Sequence, residues 1–273
     1  MSQPIILAAV DLGPHSRNVI ERALSQAAAH DASVTVIYCA SAPVEEAEAA
    51  LRALLAGSEG GEGIAARIVS GDPATAIIAE AEAVDARMIV VGASDRSFLE
   101  QVFRGSVTLA LIRSSRRPIL VARTAVLADY HQVLMAVDVN GPVAPLAAAV
   151  RSILGPVPAE LFTVLDDAVR VQMIVAQAKP DDVAAYEKEA VHSAYKVLTT
   201  AAGQVAEPGW APSARVAAGN PLREILNRLE ELGGDVLVLQ PEAKGAFLRA
   251  LLGSLTEELL ARSRDCDLLI VPE

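Results

Sequence analysis

Residues 90–106 read VVGASDRSFLEQVFRGS, an apolar run that stops at Gly92 followed by a second glycine, Gly105, that opens a new helical pattern. Met88, Ile89, Val90 and Val91 are apolar without alternation, as a parallel strand buried on both faces must be. Gly92 permits a sharp exit. Ser106 precedes the periodic run Val107, Leu109, Leu111 and Ile112. It is therefore placed to cap a helix whose free backbone N–H groups point into the loop, and such a helix start suits phosphate. An ordinary strand-to-helix turn also needs a glycine and a cap, so this stretch alone leaves both readings open.

Working outward, the same layout returns at residues 236–254, VLVLQPEAKGAFLRALLGS. Gly105-Ser106 and Gly253-Ser254 stand 148 residues apart. The same offset joins residues 67–73, RIVSGDP, to residues 215–221, RVAAGNP. Two matches at one offset indicate an internal duplication, the organising fact of the chain. Asp11 and Asp138 end the first strand of each copy at an offset of 127, which leaves 21 more residues in the second copy than in the first between these landmarks. The excess falls around residues 166–202.

At 273 residues the chain suits two domains, 1–126 and 127–273. Hydrophobic residues make up 52% and aromatics only 3%, so the cores are built from Val, Leu, Ile and Ala, in keeping with parallel sheets under helices. The scarcity of aromatics removes the stacking platforms that single-stranded nucleic acid needs, and a net charge of −11 opposes any phosphate backbone. Nucleic acid is excluded as a partner. No apolar run is long enough to insert in a membrane, Met1 to Pro4 lacks the basic region of a signal peptide, and two cysteines without CxxC spacing make no disulfide framework. The expectation is a reduced, cytoplasmic protein, with Cys39 and Cys266 as small core residues.

In the first copy the strands fall at 5–10, 34–38, 65–69, 88–91 and 118–122. Ser16 is read as the cap of the first helix, and Asp72-Pro73 opens the third. The second copy repeats the strands at 131–138, 214–217, 235–239 and 268–271. Its extra residues include a long amphipathic helix, Pro180 to Leu198, with Val183, Tyr186, Ala190, Ala194 and Val197 on the inward side. Each copy thus reads βαβαβαβαβ, which right-handed crossovers wind into an open, twisted, parallel five-stranded sheet with helices on both faces.

At this level each copy resembles a universal stress protein domain, and the chain resembles the tandem form of that family. The resemblance rests on the strand-one aspartates in AAVD and MAVD, on the GDP and GNP turns, and on a glycine frame ending in Gly-Ser. It implies a Rossmann-like, adenine nucleotide alpha hydrolase-like fold in which ATP or a related adenine nucleotide, with or without Mg2+, lies at the carboxyl ends of the strands. In copy one it places Asp11 and Cys39 beside the nucleoside, and Gly92, Asp95, Gly105, Ser106, Val107 and Thr108 around the phosphates. In copy two only Asp138, Val164, Gly253 and Ser254 match. Asp95 stands where the family has glycine, and copy two has Gln240 and Ala243 in place of both early glycines. Asp11 and Asp138 also read as turn carboxylates that bond their own backbone.

Two functions follow as expectations. One is a stress-response regulatory protein that binds adenine nucleotide mainly in the first copy; the other is a nucleotide-free interaction module acting through an unknown protein partner. A slow ATPase is a third, remote reading, since no GxxxxGK[S/T] loop occurs and no catalytic set of side chains can be assembled. The apolar last strands, 118–122 and 268–271, are expected to pair as sheet edges, making an intramolecular pseudo-dimer or a homodimer of tandem chains.

Overall fold

A computed structural model describes residues 3–40, 44–58, 60, 64–92, 107–126, 129–166, 168–241, 258–259, 262–263 and 265–272. In chain order the first copy comprises β1 (Ile5–Val10), α1 (Ser16–His30), β2 (Ser33–Cys39), α2 (Val44–Ala56), β3 (Ala65–Val69), α3 (Pro73–Ala83), β4 (Ala86–Gly92), α4 (Val107–Ser114) and β5 (Ile119–Ala122). The second comprises β6 (Val133–Ala136), α5 (Val143–Leu154), β7 (Ala159–Leu165), α6 (Ala168–Val175), α7 (Pro180–Val205), β8 (Ser213–Ala218), α8 (Pro221–Leu232), β9 (Val236–Leu239) and β10 (Asp267–Ile270).

By contact the chain divides into two compact units, residues 1–129 with 264–273, and residues 130–263. The first unit holds strands in the order β3-β2-β1-β4-β5-β10. Its pairs are parallel except the last, where β10 runs antiparallel to β5 with Leu268 opposite Val121 and Ile270 opposite Ile119. The two last strands do therefore pair. Ile6, Leu7, Ala8, Ile89 and Val90 are fully buried, which explains why β1 and β4 carry continuous apolar runs.

A charged pair sits in this core. Asp267, the first residue of β10, is completely buried; its Oδ2 lies 2.8 Å from Arg22 Nε, and its Oδ1 accepts from the backbone N–H groups of Arg123 (2.7 Å) and Thr124 (2.9 Å) and from the Thr124 hydroxyl (3.0 Å). Arg22 lies on the same buried face of α1 as Val19, Ile20 and Ala23. A buried charge persists only when paired and hydrogen-bonded, and here both conditions hold.

The second unit holds β9-β6-β7-β8, all parallel. Its own partly buried pair joins Glu160 at the start of β7 to Arg228 of α8 by two 2.7 Å bonds, with Glu231 3.1 Å from the third guanidinium nitrogen. The bonds to Glu160 raise the Arg228 pKa further above its ordinary value, against the opposing effect of burial.

Two helices, α6 and α7, occupy the region of the extra residues, and the long one corrects the expected inward face. Val183 and Ala194 are buried, together with Leu198 and Ala201, whereas Tyr186 and Val197 are exposed. The reason is the helix's length: it continues to Val205, its later turns lie along β8, β7 and α5, and that packing selects the 194–198–201 stripe. A second correction concerns the start of α1. His15, not Ser16, holds the cap position; Ser16 is the first helical residue, and its hydroxyl donates to Asp11 instead of capping.

Candidate functional site

In the first unit β1 lies between β2 and β4, so the connections leave it in opposite directions on its two sides. Ligands of open α/β sheets bind outside the carboxyl ends of the strands at such a switch point. Ala9 pairs with Val91 and Val10 with Tyr38, so Asp11, Cys39 and Gly92 follow neighbouring strand positions and share one rim of the sheet. Val107 and Thr108 form the first turn of α4, with Val107 exposed. Asp95, Gly105 and Ser106 lie outside the described residues, as do Gly253 and Ser254 of the second copy.

Each residue on this rim has a local reason for its place. Asp11 Oδ1 accepts from the backbone N–H of Gly13 (2.8 Å) and the Ser16 hydroxyl (2.9 Å), which ties the end of β1 to the start of α1. Both bonds fall on one carboxylate oxygen. The turn they hold places Leu12 at φ 60°, a left-handed conformation uncommon for a residue with a Cβ, and nothing in the sequence signals it. At Gly92 the cause is close packing: an added Cβ would come within 3.2 Å of Val19 Cγ2 and 3.9 Å of His15 Cβ, so glycine lets the start of α1 approach β4.

Cys39 is half-buried, and its thiol donates to the Gly71 carbonyl at 3.3 Å. Burial, and secondarily the charge of Asp72, push the thiol pKa above its ordinary value, so the Cys39 side chain stays neutral.

The GDP and GNP turns are the helix starts that follow β3 in the first unit and β8 in the second. Gly71 (φ 112°) and Gly219 (φ 141°) take left-handed backbone that glycine alone adopts easily, and Asp72 and Asn220 cap α3 and α8 by accepting from the N–H groups of Thr75 and Arg223. Pro73 and Pro221 open the helices. The duplicated motif is thus structural. The Thr75 N–H and then its hydroxyl hold the Asp72 carboxyl below its ordinary pKa. A depressed folded-state pKa contributes stability above the unfolded value, near 3.8 for aspartate, that is lost as pH falls through the folded value. Asp72→Asn keeps the capping oxygen and is expected to flatten that acid limb in thermal melts followed by circular dichroism, while Asp72→Ala lowers stability at neutral pH as well.

In the second unit Asp138 and Val164 lie at the same level, since Ala136 pairs with Phe162. Asp138 Oδ1 accepts from the Asn140 backbone N–H (2.9 Å) and side-chain amide (3.0 Å). Val164, the counterpart of Cys39, is buried. Among the described residues no three His, Cys, Asp or Glu side chains form a set for a metal ion. No helix there is long and apolar enough to cross a membrane.

The sequence model of the universal stress protein family matches residues 40–123 and 129–272, more than half of the chain and once in each copy. The chain belongs to the universal stress protein family. No curated protein sequence matches it. Among solved structures it is similar to a universal stress protein from Archaeoglobus fulgidus DSM 4304, at 19% identity over 98% of this chain and 96% of that one, with a TM-score of 0.69. It is also similar to a functionally unknown protein from Pseudomonas aeruginosa PAO1, at 17% identity over 99% and 93%, with a TM-score of 0.66. A universal stress protein in complex with cAMP matches 44% of this chain and 95% of its own at 25% identity, with a TM-score of 0.39. The fold is therefore that of a tandem universal stress protein, and the first of the two family matches begins only at residue 40, after β1, α1 and Asp11.

Proposed function

We propose that this universal stress protein binds an adenine nucleotide, ATP or a relative, in its first copy and acts as a regulatory protein through that occupancy. The observation that carries the reading is the rim at the β1 switch point, where Asp11, Cys39 and Gly92 stand at the carboxyl ends of adjacent strands. Asp11 spends only Oδ1 on its turn, which leaves Oδ2 as an acceptor for a ribose hydroxyl. The neutral Cys39 forms an apolar wall for a base, and the first turn of α4, which Gly105 and Ser106 precede in sequence, supplies N–H groups to phosphate. The described residues offer no donor set for Mg2+, so the proposal is for the nucleotide and not for a protein-held metal.

Copy two is the weaker site. It lacks both early glycines, and Glu257 and Glu258 follow Ser254 by three and four residues, adding negative charge to the segment that would meet phosphate. Its role in this reading is structural.

The test is to heat purified protein and separate the released small molecules by chromatography. Adenine nucleotide is expected, at or below one equivalent. Absence of any nucleotide, together with no uptake of added ATP at millimolar concentration, would leave the interaction-module reading in its place.

A further inference from the structure

The α6–α7 hairpin carries most of the exposed large apolar side chains described in the chain. Val171, Ile174 and Val175 lie on α6, and Tyr186, Val191, Tyr195 and Val197 on α7. At 26 residues α7 is about 39 Å long. From Pro180 to Val191 its sole buried residue is Val183. An apolar concentration of this kind on a surface marks an interaction site more often than chance exposure.

One flank of α7 has the spacing of a helix-pairing seam. Tyr186, Ala190, Ser193 and Val197 recur at steps of four, three and four residues, beside the stripe that packs on the unit's own sheet. The acid Glu189 and the base Lys196 border this seam one heptad apart, both exposed. In an antiparallel pairing of two such helices, one register sets Tyr186 against the partner's Val197 and Ala190 against the partner's Ser193. That register brings Glu189 to the partner's Lys196, and the two-fold repeats every contact. Small residues at the middle let the helices approach closely, and each charge meets its opposite.

We infer that α7 is a self-association surface whose occupant is the α7 helix of a second copy of this chain, packed antiparallel across a two-fold axis. Such an isologous contact needs no second kind of surface, because the seam and its charges are self-complementary. It adds to the nucleotide reading without depending on it.

Sedimentation equilibrium of the full chain across a hundredfold range of concentration tests the assignment. Wild type is expected to show a reversible monomer–dimer equilibrium. Val197→Glu should weaken it more than tenfold, since it places a carboxylate against Tyr186. Glu189→Lys and Lys196→Glu should each weaken it about tenfold by setting like charges together twice, and the double variant, with the charges exchanged, should recover wild-type association. These positions are exposed, and circular dichroism verifies that each variant is folded. A wild-type chain that stays monomeric throughout, or a dimer indifferent to Val197→Glu and to both charge reversals, overturns the inference.

Discussion

Replacing Asp267 by alanine is expected to destabilise the first unit by about 3–5 kcal/mol, the usual loss when one member of a buried ion pair is removed. The magnitude follows from what is left behind. Arg22 would keep a buried guanidinium without the facing carboxylate, and the backbone N–H groups of Arg123 and Thr124 would lose the oxygen that accepts from both. The loss should concentrate around β10, because Asp267 opens that strand and ties it to α1 and to the residues that follow β5. Urea unfolding gives the total, and amide exchange in β5 and β10 gives its location. The paired change Arg22→Met with Asp267→Leu removes both charges and should recover much of the loss, though not the part owed to the two N–H groups. A single Asp267→Ala that costs under about 1 kcal/mol would show that the pair contributes little net stability.

The second large effect concerns Gly105 and Asp95 in the proposed nucleotide site. Gly105→Val is expected to abolish nucleotide binding, because a branched side chain at that position keeps the backbone from approaching phosphate. Asp95→Gly is expected to tighten it. A carboxylate about 6 Å from a phosphate charge at an effective dielectric near 20 costs roughly 3 kcal/mol before screening, so relief of about 1–3 kcal/mol corresponds to tenfold to a hundredfold in affinity. Calorimetric titration with ATP reads both changes. The parallel substitutions Gly253→Val and Ala243→Gly are expected to leave affinity within about twofold. Equal affinities for wild type and Asp95→Gly would remove the repulsion from the account.

How far the structure was legible in the sequence depended on whether a residue's cause was local. The strands around Ile6 and Val90 announced themselves because a strand buried on both faces has to be apolar throughout. The turns at Gly71 and Gly219 were equally plain, since the order glycine, Asx, proline is the order of left-handed residue, cap and first helical position. Alanine made α7 harder. With small apolar residues at 184, 185, 190 and 194, more than one stripe fits the periodicity, and only contact with β8 and α5 selects Leu198 and Ala201 over Tyr186 and Val197.

Pairings distant in sequence were not legible. Arg22 reads as a charge intruding on an apolar helix face until Asp267, which meets it from the last strand, is in view. At the rim, the two readings of Asp11 as ligand residue and as turn carboxylate proved compatible, because the turn occupies one oxygen only. His15 is the cap although Ser16 has the cap chemistry, and the Ser16 hydroxyl bonds Asp11 instead. The left-handed Leu12 had no signal at all, being set by that same network and not by its own side chain.

The central claim, that adenine nucleotide binds on the first-copy rim, is tested most directly by following backbone amide resonances of the isotopically labelled full chain during titration with ATP. The account predicts saturable shifts at Leu12, Gly13, Cys39, Gly92, Val107 and Thr108, with Asn140, Val164 and Gln240 unmoved. Shifts confined to the second-copy residues, or none at millimolar ATP, would contradict it.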